Sequence, residues 1–246
     1  MSDIEAIRAE AEWREISRLA HFTPKRNLVH IATSEDGLKS TKMMSEEERA
    51  EFNQQDLQRL DRHPDHISCT IEYPNAYYYR NKRKDARGEE RLFPDWVCLL
   101  LSPKHLWGKA TLFCPHNAAG WGGTGVRSGL KCFMSMFADE VEAPQGTWRR
   151  QRHPNCCTTD VQAEVLIHRQ VPLKDVLGIV VESPGQAGDT YASLLQLGAP
   201  VDDLPFFVCP EFFDPPRLAA SLRRGRPPVE EAWHPPVDAD GEAVGG

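Results

Sequence analysis

The chain has no apolar run approaching the roughly 20 residues that cross a bilayer, so no membrane-spanning helix is expected. A secretory leader would begin basic and then turn apolar. Met1-Ser2-Asp3-Ile4-Glu5 is acidic, and the protein is expected in the cytoplasm with no membrane partner. Regular cysteine spacing is missing as well: Cys69, Cys98, Cys114, Cys132, Cys156, Cys157 and Cys209 form an odd set of seven, mostly in apolar company, and no disulfide framework is expected. No C-x-x-C or H-x-x-x-H frame joins Cys114, His116, Cys132, His153, Cys156 and Cys157, so no metal site is expected either. There is no internal repeat. There is no excess of positive charge: the sum is −7, which taken alone argues against a phosphate-rich partner.

What is present is an ordinary globular composition over 246 residues, enough for one sizeable core. The cations are gathered where the sum conceals them. Arg80, Lys82, Arg83, Lys84, Arg87 and Arg91 form one cluster; Arg149, Arg150 and Arg152 a second; Arg217, Arg223, Arg224 and Arg226 a third. Each cluster taken alone is as well explained by a solvated face.

Apolar spacing predicts a helix over Asp3 to Arg18 capped by Ser2 or Asp3, a strand over Leu19 to Phe22, and a helix begun by Thr23-Pro24. A charged helix-like stretch runs from Glu46 to Leu60, and His66 to Tyr73 alternates as a strand. Trp96 to Leu101 reads as a buried strand, Pro103 to Trp107 as a short helix and Ala110 to Cys114 as a strand. A glycine-dense loop from Gly120 to Gly129 precedes a helix over Leu130 to Val141; strands over Val161 to Ile167 and Leu177 to Val181 follow. Residues 183–246, rich in proline, are expected to form a loosely packed appendage with a disordered Asp/Gly tail, leaving 1–182 as the ordered domain.

Gly120, Gly122 and Gly125 satisfy G-x-G-x-x-G, but Pro115 to Ala119 separate them from the preceding strand and no βαβ frame surrounds them. A close-approach loop explains them better than a dinucleotide-binding turn. Glu164 is harder to dismiss. It opens an otherwise apolar strand, where burying even a neutral polar group costs about 2–7 kcal/mol without a partner, so it has a partner or faces a cleft; the bland alternative is the solvent side of an edge strand. His21, Thr23, Asn27, Arg59 and Asn117 each have an ordinary structural reading when taken singly.

Taken in order, five segments resemble the DarT family of ADP-ribosyltransferases: His-Phe-Thr with Asn-Leu (His21 to Leu28), Arg-Leu-Asp with Ile-Ser (Arg59 to Ser68), Tyr-Pro-Asn with its aromatic run (Tyr73 to Tyr79), Asn-Ala-Ala (Asn117 to Ala119) and Gln-Ala-Glu-Val-Leu (Gln162 to Leu166). The likeness spans about residues 17–182. It implies an α+β ADP-ribosyltransferase fold, two packed mixed sheets flanked by helices with an NAD cleft. It implies Glu164 as the catalytic acid and Arg59 as a catalytic and phosphate-holding residue. His21, Thr23 and Asn27 would bind NAD as co-substrate, and residues 144–160 would form the substrate-recognition loop.

The same resemblance implies the toxin half of a toxin–antitoxin pair that marks a nucleobase in single-stranded DNA. Tyr73-Pro74-Asn75 brings the chain closer to the guanine-modifying than to the thymidine-modifying branch. The first two basic clusters then take on a role. A base is most cheaply presented from a single strand, and single strands are held by cationic grooves with aromatic rings, here Tyr78, Arg80, Asn117, Trp148, Arg149, Arg150 and Arg152. RNA as the acceptor, and a catalytically silent nucleotide-binding module, remain as alternatives.

Overall fold

The structure, a computed structural model, describes residues 1–46, 49, 60–83 and 95–236. The expected Glu46 to Leu60 helix falls mostly outside the described residues, as do Arg59, Lys84, Arg87, Arg91 and the tail from 237 onward.

The centre is an eight-stranded mixed sheet. Its strands are β1 (Leu19–Pro24), β3 (His66–Ile71), β4 (Trp96–Leu101), β5 (Leu112–Cys114), β8 (Glu164–His168), β10 (Val176–Val181), β11 (Phe206–Val208) and β12 (Glu231–Trp233), in the spatial order β12-β11-β10-β4-β1-β3-β8-β5. Two small ribbons flank it, β2 (Leu38–Lys39) with β9 (Gln170–Val171) and β6 (Glu140–Ala143) with β7 (Gly146–Arg149). The α-helices bounded within the described residues are α1 (Asp3–Trp13), α2 (Asn27–Ala32), α3 (Ala76–Arg83), α4 (Leu130–Ser135), α5 (Pro184–Gln196) and α6 (Pro215–Arg223).

The run Trp-Val-Cys-Leu-Leu-Leu fills β4 because that strand is buried on both faces at the middle of the sheet. It pairs with β1 along six residues, from Leu19 opposite Leu101 to Pro24 opposite Trp96. On its other side β1 behaves differently. It meets β3 only at Leu19 with Ile71 and at Ala20 with Thr70, while the rest of β3, His66 to Cys69, pairs with β8. The two sheets expected from the resemblance are thus two wings of one sheet, joined by two residue pairs and diverging beyond Ala20. That divergence opens a cleft between His21 on one wing and Ser68 on the other.

Several expected boundaries shift. Helix α1 is capped by Ser2 with Glu5 in a reciprocal capping box, but it stops at Trp13 rather than Arg18. Glu15 is left-handed there, and buried Glu72 accepts the backbone N–H groups of Ser17 and Arg18, turning the chain into β1. Thr23 and Pro24 end β1 instead of starting a helix. Helix α4 is six residues long, and Glu140 to Val141, expected within it, open the β6–β7 hairpin.

The expected division at residue 182 needs correcting. β11 pairs in parallel with β10, and β12 closes the sheet beside it, so the stretch after Ser183 extends the same sheet. Phe206, Val208, Phe212, Leu218 and Leu222 are buried, and Arg18 reaches Glu230 with Nη1 at 2.6 Å from its carboxylate. Pro184 and Pro215 sit at the starts of α5 and α6, where a missing N–H costs nothing.

Candidate functional site

The diverging wings enclose two adjoining hollows. One, of about 150 Å³, is lined by His21, Thr23, Asn27, Lys39, Ser40, Tyr78 and their neighbours. The other, of about 320 Å³, takes in His21, Asp61, Ser68, Asn75, Tyr78, Lys82, Asn117 and Glu164. His21, Phe22 and Tyr78 belong to both, so the two form one continuous cleft.

Glu164, the first residue of β8, is 8% exposed at the wall of the larger hollow. One carboxylate oxygen accepts the Ala118 N–H at 2.9 Å and the other the Ser68 hydroxyl. These charge-assisted bonds fix the carboxylate's rotamer and offset part of its desolvation. Asn117 shapes the loop that delivers Ala118. Its side-chain oxygen accepts the Ala119 N–H at 3.1 Å, and its carbonyl lies 2.8 Å from His116 Nδ1, which must donate there. The glycines crowd this corner closely: a Cβ on Gly125 would lie 2.5 Å from His116 Nε2. The G-x-G-x-x-G match therefore marks tight packing around a buried histidine, as the close-approach reading predicts.

His21 points its Nδ1 at the Ser68 carbonyl, 2.8 Å away. A carbonyl only accepts, so Nδ1 carries the proton and the tautomer is set from across the cleft. Thr23 is buried and accepts from Asn27 Nδ2 at 3.0 Å, joining the end of β1 to the first turn of α2. Gly37 brings the opposite wall in. It has φ +65°, and a Cβ there would lie 2.4 Å from the Val171 carbonyl, so a side chain would push the β2 segment away from β9.

Of the sequence-predicted residues, the cleft brings together His21, Thr23, Asn27, Tyr78, Asn117 and Glu164. Arg59 lies outside the described residues, directly before the described Leu60 and Asp61 that line the larger hollow. Arg80 stacks its guanidinium 5.0 Å from the Tyr77 ring centre. Trp148 and Arg149 sit on β7, where Arg149 is exposed and pairs with Glu140 at 3.2 Å. Arg152 is exposed. Arg150 differs from the expectation for it: it turns inward and donates to the carbonyls of Cys157 at 2.8 Å and Pro154 at 2.9 Å, so its guanidinium shapes the 150–159 loop.

Three cleft residues are not singled out by the sequence. Ser68 ends one of the family-like segments, but its bond to Glu164 depends on the β3–β8 register, which no local pattern displays. Lys39 lines the smaller hollow while paired with Asp36 at 3.2 Å. Ser40 is buried on the same wall, and its hydroxyl has no partner among the described residues. No sequence pattern distinguishes that serine from any other.

A buried carboxylate thus stands at the split of a mixed sheet, with a histidine and a threonine on the facing strand, the arrangement that the resemblance to ADP-ribosyltransferases implies. The family model described as ssDNA thymidine ADP-ribosyltransferase, DarT, matches residues 20–213. The chain belongs to this DarT family of ADP-ribosyltransferases. Among solved structures it is similar to Thermus sp. 2.9 DarT in complex with ADP-ribosylated ssDNA, at 14% identity and TM-score 0.51 over 81% of this chain and 97% of that one. It is also similar to Thermosipho africanus DarTG in complex with ADP-ribose, at 14% identity and TM-score 0.52 over 80% of this chain. It spans about half of that longer protein, 51%. No curated protein matches the sequence.

Proposed function

We propose that the chain transfers ADP-ribose from NAD to a nucleobase of single-stranded DNA, acting in the cytoplasm as the toxin of a toxin–antitoxin pair whose antitoxin removes or prevents the mark. The observation that carries this reading is the carboxylate of Glu164, buried yet held by Ser68 and Ala118 on a cleft wall shared with His21. Ser40 supports it, since a buried hydroxyl without a partner among the described residues suits a polar ligand in the smaller hollow.

Bound in this cleft, NAD would supply a ribose carbon that becomes electrophilic as its bond to nicotinamide breaks. Glu164 stabilises the positive charge developing there through the neighbouring ribose hydroxyl, from a position already fixed before reaction. The new bond joins that carbon to a base nitrogen, nicotinamide leaves, and the proton on the attacking nitrogen passes to a carboxylate such as Glu164. His21, with its proton on Nδ1, directs Nε2 as an acceptor toward a ribose hydroxyl, and Thr23 with Asn27 holds the nicotinamide end. By the family resemblance, Arg59 clamps phosphate bidentately. Tyr78 and Lys82 on the wall of the larger hollow, together with Trp148, Arg149 and Arg152, hold the strand.

We favour guanine as the acceptor, on the resemblance carried by Tyr73-Pro74-Asn75 and because Asn75 lines the larger hollow. Thymine is the second reading, favoured by the description of the matching family model. The test is mass spectrometry of nucleosides released from DNA and matched RNA oligonucleotides incubated with the protein and NAD. ADP-ribosyl-deoxyguanosine from the DNA, with no modified nucleoside from the RNA, is the expected product. Transfer by Glu164→Ala at the wild-type rate would overturn the assignment of the carboxylate, and a mark confined to RNA would overturn the DNA reading.

A further inference from the structure

Away from the cleft, the turn that leads into β3 reads His63-Pro64-Asp65-His66, and it gathers a second set of chemically capable side chains. One donor atom from each of His63, Asp65 and His66 lies within 4.8 Å of the other two. His66 is 6% exposed. Its Nε2 lies 3.1 Å from the carbonyl of Ala110, which only accepts, so Nε2 carries a proton. Its Nδ1 lies 2.8 Å from Asp65 Oδ1. In a neutral ring these are two lone pairs facing each other, an arrangement that needs a proton or a metal cation between the partners. His168 stands opposite His66 in the β3–β8 register, with Nε2 3.8 Å from Asp65 Oδ2.

We propose that His63, Asp65 and His66 hold a divalent transition-metal ion, with His168 beside the fourth position. Zinc is the metal that an imidazole and carboxylate donor set of this size suits. Tetrahedral ligands at Zn–N and Zn–O distances of about 2.1 Å stand roughly 3.4 Å apart, so the cluster closes on the ion by side-chain rotation. The Nε2–H to Ala110 carbonyl bond is what orients an imidazole ligand and fixes its tautomer in metal sites. The ion's work is structural. Asp61, which lines the larger hollow, accepts the His63 N–H at 3.0 Å, so fastening His63 to His66 anchors the segment bordering the cleft. This inference does not rest on which base the cleft modifies.

The test uses the full chain, stripped with chelator and titrated with zinc chloride by calorimetry, with thermal melting in parallel. One zinc per chain and a raised Tm are expected. His63→Ala and Asp65→Asn should each weaken binding at least roughly ten-fold, the loss seen when even an outer partner of a metal ligand is removed. Cobalt should give the visible bands of a four-coordinate nitrogen–oxygen site without a thiolate charge-transfer band, which separates this cluster from the chain's seven cysteines. Absence of saturable zinc binding, a thiolate band, or unchanged affinity in both variants would overturn the proposal.

Discussion

Replacing Asp160 with Asn should make the protein more stable at neutral pH and flatten its response to pH. Asp160 is fully buried in the loop before β8; one oxygen accepts the Gln162 N–H at 2.9 Å, and the other has no partner among the described residues. Burial, reinforced by the nearby Glu164 charge, pushes its carboxyl up to about 7 from an ordinary 3.8. The folded state therefore binds this proton more tightly than the unfolded chain does. Its contribution is fully present below about pH 4 and is lost as pH rises through 7. Raising a carboxyl from 3.8 to about 7, at 1.36 kcal/mol per unit, amounts to about 4 kcal/mol in all, of which more than half falls between pH 5 and pH 8. Asn keeps the bond to Gln162 and cannot ionise. Urea denaturation of both proteins at pH 5, 6.5 and 8 gives the difference directly, and other titrating groups cancel in the comparison. A variant whose stability falls with pH as steeply as the wild type would refute the argument, because the loss would then come from elsewhere.

His153 carries the opposite sign. Burial and the charges of Arg150 and Arg223 lower it to about 4, so stability is lost as pH falls from about 6.5 toward 4, and His153→Gln should lessen that loss in acid melts. Gly125→Ala should cost about 1–3 kcal/mol in chemical denaturation, since its Cβ would stand 2.5 Å from His116 and 3.1 Å from Cys114 Sγ. Ser68→Ala should lower kcat about ten-fold or more and lower Tm by several degrees, because it removes a charge-assisted bond worth roughly 1.5–3 kcal/mol from the buried Glu164 carboxylate. Glu230→Ala should cost about 3 kcal/mol in a urea melt, near the low end for a broken buried pair, because Arg18 keeps Glu72 at 3.6 Å.

Local rules foresee the strands well and the helix ends poorly. Trp96 to Leu101 announces a central strand because burial on both faces leaves no room for alternation. The early stop of α1 is hidden because Ile16 keeps the helical spacing, while the group that turns the chain is Glu72, more than fifty residues away. The C-terminal stretch misleads for a similar reason. Its prolines suggest loose packing, yet Phe206 and Val208 are buried in a strand that lies between β10 and β12, and the parallel pairing with β10 is a long-range partner that no local pattern displays. Sequence composition registers the cost of a proline but not the edge of a sheet waiting for another strand.

The site is more legible than the fold around it, and the divergence of the sheet explains why. A carboxylate in an apolar strand is conspicuous on physical grounds, so Glu164 stands out from its neighbours along the chain. What the chain does not display is that β1 and β3 part after two pairs of residues. That parting gives His21 a carbonyl to face across a gap, gives Ser68 a carboxylate to hold, and leaves Ser40 buried without a protein partner among the described residues. Had the two strands stayed paired to their ends, backbone hydrogen bonds would fill the space that the hollow now occupies. The same sequence motifs would then describe an ordinary sheet. The cleft is thus a consequence of incomplete pairing, and Ala20 and Thr70, the last pair before the strands part, accordingly line the larger hollow.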